Sequence, residues 1–203
     1  VVGKYIEHQD AYKSVYEAIA HGGIANAARV RVHRIAAQDV ESGAAREALS
    51  GMDGILIPGG FGARGMEGKI EAIRVAREQG IPYLGLCVGM QCAVIEFARS
   101  QAGLTGANST EFDPKTPHPV IDLMGDQSRV TDKGGTMRLG SYPCRLTPET
   151  LAREAYGLEE VQERHRHRFE LNNRYRDALG ARGMLFSGTS PDGKLVEIIE
   201  LAG

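Results

Sequence analysis

The sequence predicts an α/β domain: a mostly parallel central sheet flanked by helices, with antiparallel strands added later in the chain. Three observations predict it. Apolar periodicity switches repeatedly between two and about 3.6 through the first half of the chain, the pattern of alternating strands and helices. Two unbroken apolar runs, GILIP at 54–58 and Pro82 to Leu86, suit strands covered on both faces. After residue 103 proline and glycine become frequent (Pro114, Pro117, Pro119, Gly134, Gly135), and candidate strands appear at 119–124, 136–146, 163–171, 184–188 and 194–201.

Taken in order, Val1 to Tyr5 reads as a first strand, and Tyr12, Val15, Tyr16 and Ile19 mark one face of a helix stopped by Gly22-Gly23. Val30, Val32 and Ile35 suggest a second strand. A short helix around Ala44 to Leu49 leads to the central strand GILIP, then to the loop GGFGARG. Ile70, Ile73 and Ala76 face inward on the next helix, which Gly80 ends. Met90, Val94, Phe97 and Ala98 recur at helical spacing, so an amphipathic helix is expected from 89 to about 101. Later, Thr147 is the expected N-cap of a helix running to about Tyr156, with Pro148 at its first position, and PDGK at 191–194 is a hairpin-like turn.

Composition excludes several classes. At 203 residues the default is one domain, and 42% hydrophobic with 25% charged residues is ordinary for a soluble globular protein. A formal net charge of -2 carries no polyanion signature, so nucleic acid is not an expected partner. No apolar run reaches the roughly 18 residues of a membrane span, and Val1-Val2-Gly3 does not open a signal peptide, so the expectation is a cytoplasmic protein with no membrane partner. Val1 begins inside an apparent strand and Gly203 follows another, which suggests a piece of a larger protein, cut at both ends. The three cysteines, Cys87, Cys92 and Cys144, cannot all pair, and none is spaced as a zinc ligand; no metal is expected.

One cysteine sits where chemistry is favoured. In PYLGLCVGMQ (82–91), Cys87 follows a buried strand and precedes a helix, beyond the carboxyl end of the strand, where α/β sheets place ligands. A helix N-terminus stabilises a thiolate, whose pKa can fall from about 8.5 to about 3.5–7.5. Gly85 and Gly89 flank it at two residues on either side, as in the G-x-S-x-G elbow of hydrolases with sulfur in place of oxygen. A small buried apolar residue is the alternative reading for Cys87, and the one kept for Cys92 and Cys144. Acyl transfer also needs an oxyanion hole. The glycine loop PGGFGARG, at the end of the preceding strand, offers one N–H and Val88 a second; its spacing matches neither G-x-G-x-x-G nor a P-loop.

PGGFGARG followed by PYLGLCVGMQ is similar to the class I (triad) glutamine amidotransferases, flavodoxin-like α/β domains that hydrolyse glutamine and pass ammonia to a partner domain. Within that class, GKYIEHQDAYKSVYEAIAHGG, NSTEF, TDKGGTMRLGSYPCRL, ERHRHRFELNN and LVEIIE resemble the amidotransferase domains of CTP synthases, over nearly the whole chain. The resemblance implies a single amidotransferase domain over 1–203, with Cys87 as nucleophile forming a γ-glutamyl thioester and Gly60 and Val88 donating the oxyanion N–H groups. It places Phe61, Gln91, Glu111 and Arg168 against the L-glutamine substrate. A zwitterionic substrate needs an acceptor such as Glu111 for its ammonium and donors for its carboxylate. On a strand, Arg164, Arg166 and Arg168 would line one face, with His165, His167 and Phe169 on the other.

The resemblance further implies an N-terminal synthetase domain on the same polypeptide, binding UTP, ATP and Mg²⁺, and a homotetrameric full-length enzyme of pyrimidine biosynthesis. No cofactor is expected in this domain itself. GTP is the implied activator, with Arg64 and the GGFGARG loop the candidates for its effect. Several positions depart from the pattern. The family completes its triad with a His and a Glu in a Q-F-H-P-E segment soon after the LVEIIE strand, and none of His8, His21, His33, His118, His165 and His167 stands in such a motif. Incomplete turnover is therefore expected of residues 1–203 alone. Val88 replaces a usual Leu, Ala63 a common Tyr, and His8-Gln9 a usual Leu-Pro. The competing functions are another triad amidotransferase, a γ-glutamyl hydrolase using the same elbow, or a non-catalytic module that has lost its base.

Overall fold

The computed structural model describes residues 1–41, 43–123 and 138–201. The chain divides into two compact units, residues 1–93 and 94–203. Among the described residues, no helix is long and apolar enough to cross a membrane.

In the first unit, β1 (Val2–Gly3) pairs in parallel with β2 (Ile35–Ala36), and β3 (Ile55–Ile57) pairs in parallel with β4 (Tyr83–Gly85). Because β1 runs beside β3, the strand order is β2-β1-β3-β4, and GILIP is central as its apolar run implies. The first two strands are shorter than expected. Tyr12 explains the end of β1: its Oη accepts the N–H groups of Lys4 and Tyr5, at 3.2 and 3.4 Å, which diverts them from a ladder. Residues 27–34 form no strand, and Val30 is half exposed.

Of the helices α1 (Lys13–Ala25), α2 (Ala45–Ala48) and α3 (Met66–Gln79), α3 packs against β1 and β4 and α2 against α3; the cover expected over Pro82 to Leu86 fails at Leu84, which is 55% exposed at the edge strand. The expected stop of α1 at Gly22-Gly23 falls short. The helix runs through both glycines, because the turn is made later, at Ala27 with φ +51°. Gly23 instead permits a close return of the chain: its carbonyl accepts from Ala28 N–H at 2.8 Å, and a Cβ there would lie 2.8 Å from the Ala28 carbonyl oxygen. Gly80 does end α3, in the left-handed conformation. Helix α4 (Val88–Ser100) then starts directly after the Cys87 turn.

The second unit is dominated by antiparallel pairing, as the proline- and glycine-rich half of the sequence implies. One sheet has the order β11-β10-β7-β8, built from β7 (Arg138–Leu146), β8 (Glu160–His167), β10 (Met184–Thr189) and β11 (Val196–Leu201). The turn at 190–194 joins β10 to β11, with Gly193 at φ +72°. The other sheet is β5-β6-β9, from β5 (Asn108–Ser109), β6 (Pro119–Leu123) and β9 (Phe169–Leu171). The single strand expected over 163–171 is thus two strands in different sheets, broken at Arg168. The N-cap of α5 (Leu151–Tyr156) is Thr150 rather than Thr147: Thr150 Oγ1 accepts from Arg153 N–H, and Glu200 accepts the N–H groups of Leu151 and Ala152. A short helix, α6 (Arg176–Gly180), precedes β10. The start of the strand expected at 136–146, the end of that at 119–124, and most of TDKGGTMRLG lie outside the described residues.

A buried ion network ties strands of both sheets together. Arg138 on β7 donates to Glu170 on β9 at 3.1 Å and to both carboxylate oxygens of Glu197 on β11 at 3.2 and 2.7 Å. Arg138 is 10% exposed at its side chain and both glutamates 2%. Removing the cation from such a set leaves two carboxylates in low dielectric. Arg138→Ala should therefore lower the unfolding free energy by about 3–5 kcal/mol, measured by denaturant titration. In the first unit the packing of α4 on β3 depends on Gly89, where a Cβ would lie 2.3 Å from the Ile57 carbonyl oxygen. Alanine in a helix ordinarily gains about 1 kcal/mol over glycine. Here Gly89→Ala should instead cost about 1–3 kcal/mol by the same measurement, because the obstacle is backbone.

Candidate functional site

The turn between β4 and α4 is built by close contacts that only glycine allows. Leu86 N–H donates to the Ile57 carbonyl at 2.9 Å, and Gly89 N–H donates to Leu86 at 2.9 Å, which fixes both sides of Cys87. A Cβ on Gly85 would lie 2.6 Å from the Gly89 carbonyl carbon and 2.7 Å from Met90 N. The flanking glycines are thus steric necessities of a turn this tight. Cys87 itself adopts φ +53°, a left-handed conformation that a non-glycine residue takes at a cost. Its thiol is exposed, whereas Cys92 and Cys144 are fully buried. Burial, reinforced by the nearby carboxylates of Glu197 and Glu163, pushes the Cys144 thiol up to about 11. The three cysteines therefore divide as their sequence contexts imply.

The glycine loop after β3 meets this turn. A Cβ on Gly59 would lie 3.5 Å from Cys87 Cβ and 3.9 Å from its Sγ, so Gly59 is the residue over which the thiol sits. A Cβ on Gly60 would lie 4.0 Å from Val88 Cγ1, which brings the two expected oxyanion donors to neighbouring positions. Val88 opens α4, where the first N–H groups have no intrahelical acceptor. Phe61 is half exposed, and its carbonyl accepts from the Lys4 ammonium at 2.6 Å, which anchors the loop to the chain just after β1. Gln91 is 4% exposed in the first turn of α4, with its N–H on the Cys87 carbonyl at 3.1 Å. Cys87, Gly60, Phe61, Val88 and Gln91 all belong to the first unit.

Glu111 and Arg168 belong to the second unit. Glu111 lies in the turn after β5, with its N–H on Ser109 Oγ at 3.2 Å, and is half-buried. Arg168 is half-buried at the break between β8 and β9. The expected alternation holds for Arg164 and Arg166, which are exposed, against His165 and His167, which are partly covered; it fails at Arg168, because the chain changes sheets there.

Two groups of charged residues escaped the sequence reading. Lys69 is 1% exposed, on the inward face of α3 beside Ile70; its spacing from Met66 and Ile73 carried that signal. The second group surrounds Arg138. His165 Nδ1 lies 3.0 Å from His167 Nε2 and 3.5 Å from Glu197, and His167 Nδ1 lies 3.3 Å from Glu170. His165, His167 and Glu197 have atoms spaced as metal ligands, yet Arg138 already occupies both oxygens of Glu197 as the cation of this network. Burial lowers the His165 pKa from its ordinary value, against the pull of Glu197.

Comparison with known proteins bears on the site as a whole. Residues 7–203 match the family model for class-I glutamine amidotransferases. The chain is 61% identical over 203 residues to a CTP synthase of Pelotomaculum thermopropionicum and 64% identical over 204 positions to that of Rubrobacter xylanophilus. All of this chain is covered in both, but it spans only 38% and 37% of their lengths. Among solved structures it resembles the Trypanosoma brucei CTPS glutaminase domain with bound acivicin, with TM-score 0.90 and 37% identity over 98% of this chain and 78% of that one. The elbow, the glycine loop and these matches together show that the chain belongs to the class-I glutamine amidotransferase family, alongside the glutaminase domains of CTP synthases.

Proposed function

We propose that the chain is the ammonia-supplying half of a CTP synthase and that Cys87 is its nucleophile. The observation that carries this is the strained, exposed Cys87 at the mouth of α4, with its sulfur over Gly59. The Cys87 thiolate attacks the carboxamide carbon of L-glutamine, and the N–H groups of Gly60 and Val88 receive the charge that develops on the oxygen. The C–N bond then breaks, ammonia leaves with an added proton, and a γ-glutamyl thioester remains on Cys87. Water hydrolyses the thioester to glutamate and restores the thiol. By the family resemblance, Phe61 and Gln91 of the first unit are assigned to substrate contact, and Glu111 and Arg168 of the second unit are the residues whose charges suit the ends of a zwitterion.

Ammonia would pass to a synthetase domain that uses ATP and Mg²⁺ to activate UTP, with GTP promoting glutamine hydrolysis through Arg64 and the loop at 59–65. The base that accepts the thiol proton, and its carboxylate partner, are assigned to a His and a Glu of a Q-F-H-P-E segment that residues 1–203 do not contain. A polypeptide of residues 1–203 should accordingly hydrolyse glutamine at least about a hundredfold more slowly than one that also carries that segment, in an ammonia-release assay. Exposure to 6-diazo-5-oxo-norleucine, a glutamine-like alkylating agent, followed by peptide mass spectrometry, tests the nucleophile itself. One adduct is expected, on Cys87, with Cys92 and Cys144 unmodified at pH 7.5. Adducts on either buried cysteine, or none on Cys87, would overturn the assignment.

A further inference from the structure

The first unit buries a lysine directly behind the glycine loop. Helix α3 packs tightly, through Gly68, on the segment at Ala37: a Cβ on Gly68 would lie 1.8 Å from the Ala37 carbonyl oxygen. The next residue, Lys69, is 1% exposed, and its Nζ lies 3.5 Å from where a Cβ on Gly60 would be. The adjacent Gly59 carries the Cys87 sulfur at 3.9 Å from the equivalent point. The ammonium and the thiol therefore approach neighbouring residues of one turn.

Buried ammonium groups are normally paired with a carboxylate. The charges that act most on Lys69 are otherwise: after burial itself, which lowers its pKa, come the thiol of Cys92, which raises it, the ammonium of Lys4, which lowers it, and the thiol of Cys87, which raises it. The other titratable groups on the elements packed against α3 are the Tyr83 phenol, which donates to the Gly89 carbonyl at 2.8 Å, Glu41, which approaches α3 at Gly68, Asp39 in the 3-10 turn at 37–40, and Arg46 and Glu47 on α2, of which Arg46 pairs with Glu78 of α3 at 2.8 Å. The positive charge is thus held ready where negative charge appears only during reaction, the arrangement expected of a preorganised electrostatic site.

We propose that Lys69 is a positioning residue for the thiol turn: its buried ammonium, behind Gly60, favours the Cys87 thiolate and the oxyanion formed beside it. The inference rests on Cys87 being the nucleophile. It is tested by the rate of Cys87 alkylation with iodoacetamide as a function of pH, read by peptide mapping, in the unaltered chain and in Lys69→Met and Lys69→Gln, with thermal unfolding of each. Removing the charge should raise the apparent thiol pKa by about one unit or more. Lys69→Met should leave the melting temperature unchanged or raised, since a desolvated charge is replaced by an apolar chain of similar length. An unchanged alkylation profile in folded variants overturns the proposal, as does a Lys69→Met chain that fails to fold, which would make the lysine structural. If the unaltered Cys87 is not labelled by 6-diazo-5-oxo-norleucine, the nucleophile assignment and the lysine inference fall together; if it is labelled and the variants match it, only the lysine inference fails.

Discussion

The contact between Gly89 and the Ile57 carbonyl is the constraint on which the rest of the site depends. It brings the start of α4 against the end of β3 with no room for a side chain, and so leaves only Leu86 and Cys87 to turn the chain from strand to helix. A turn that short forces Cys87 to φ +53°, at a cost of about 1–2 kcal/mol for a residue with a Cβ. The strain has a use: it lifts the sulfur out of the packed interior while keeping it at the helix N-terminus. Cys92, five residues on in the same helix, has the same chemistry and none of that geometry, and it is fully buried.

Buried charge is handled differently in the two units. Around Arg138 both oxygens of Glu197 and one of Glu170 accept from the guanidinium, and the network joins β7, β9 and β11 in the manner of a structural clamp. Around Lys69 the strongest neighbours are thiols and a second lysine. Burial costs both cations their hydration, and Arg138 recovers it from its two glutamates. That asymmetry separates a charge that holds a fold from one placed for chemistry.

The α/β class, the central position of Ile55–Ile57 and the cysteine turn were legible because each rests on local signals: an unbroken apolar run, glycine spacing, a switch of period. What was not legible depended on distant partners. Tyr12 shortens β1 by accepting two of its N–H groups, which no periodicity reveals. The break at Arg168 is set by which sheet Phe169–Leu171 pairs with, and the ERHRHRFEL run alternates without interruption across it. Thr150 displaces Thr147 as N-cap partly because Glu200, fifty residues away, caps the same helix. Of the candidate site, Cys87, Val88 and the glycine loop followed from the motif, whereas Phe61, Gln91, Glu111 and Arg168 came only from resemblance. Lys69 carried a local signal, a charge on an apolar face, that was overlooked because the adjacent Ile70 satisfied the pattern.

A covalent γ-glutamyl group on Cys87 is the intermediate on which the proposed chemistry depends. Hydroxylamine attacks thioesters without needing a base to activate it, so it takes the place of water in deacylation, while acylation draws on the fraction of Cys87 already present as thiolate at the helix N-terminus. Incubating the chain and Cys87→Ser with L-glutamine and hydroxylamine, and measuring γ-glutamyl hydroxamate, tests that group directly. Hydroxamate formed by the unaltered chain and abolished by Cys87→Ser is the predicted result; equal amounts from both, or none from either, would contradict it.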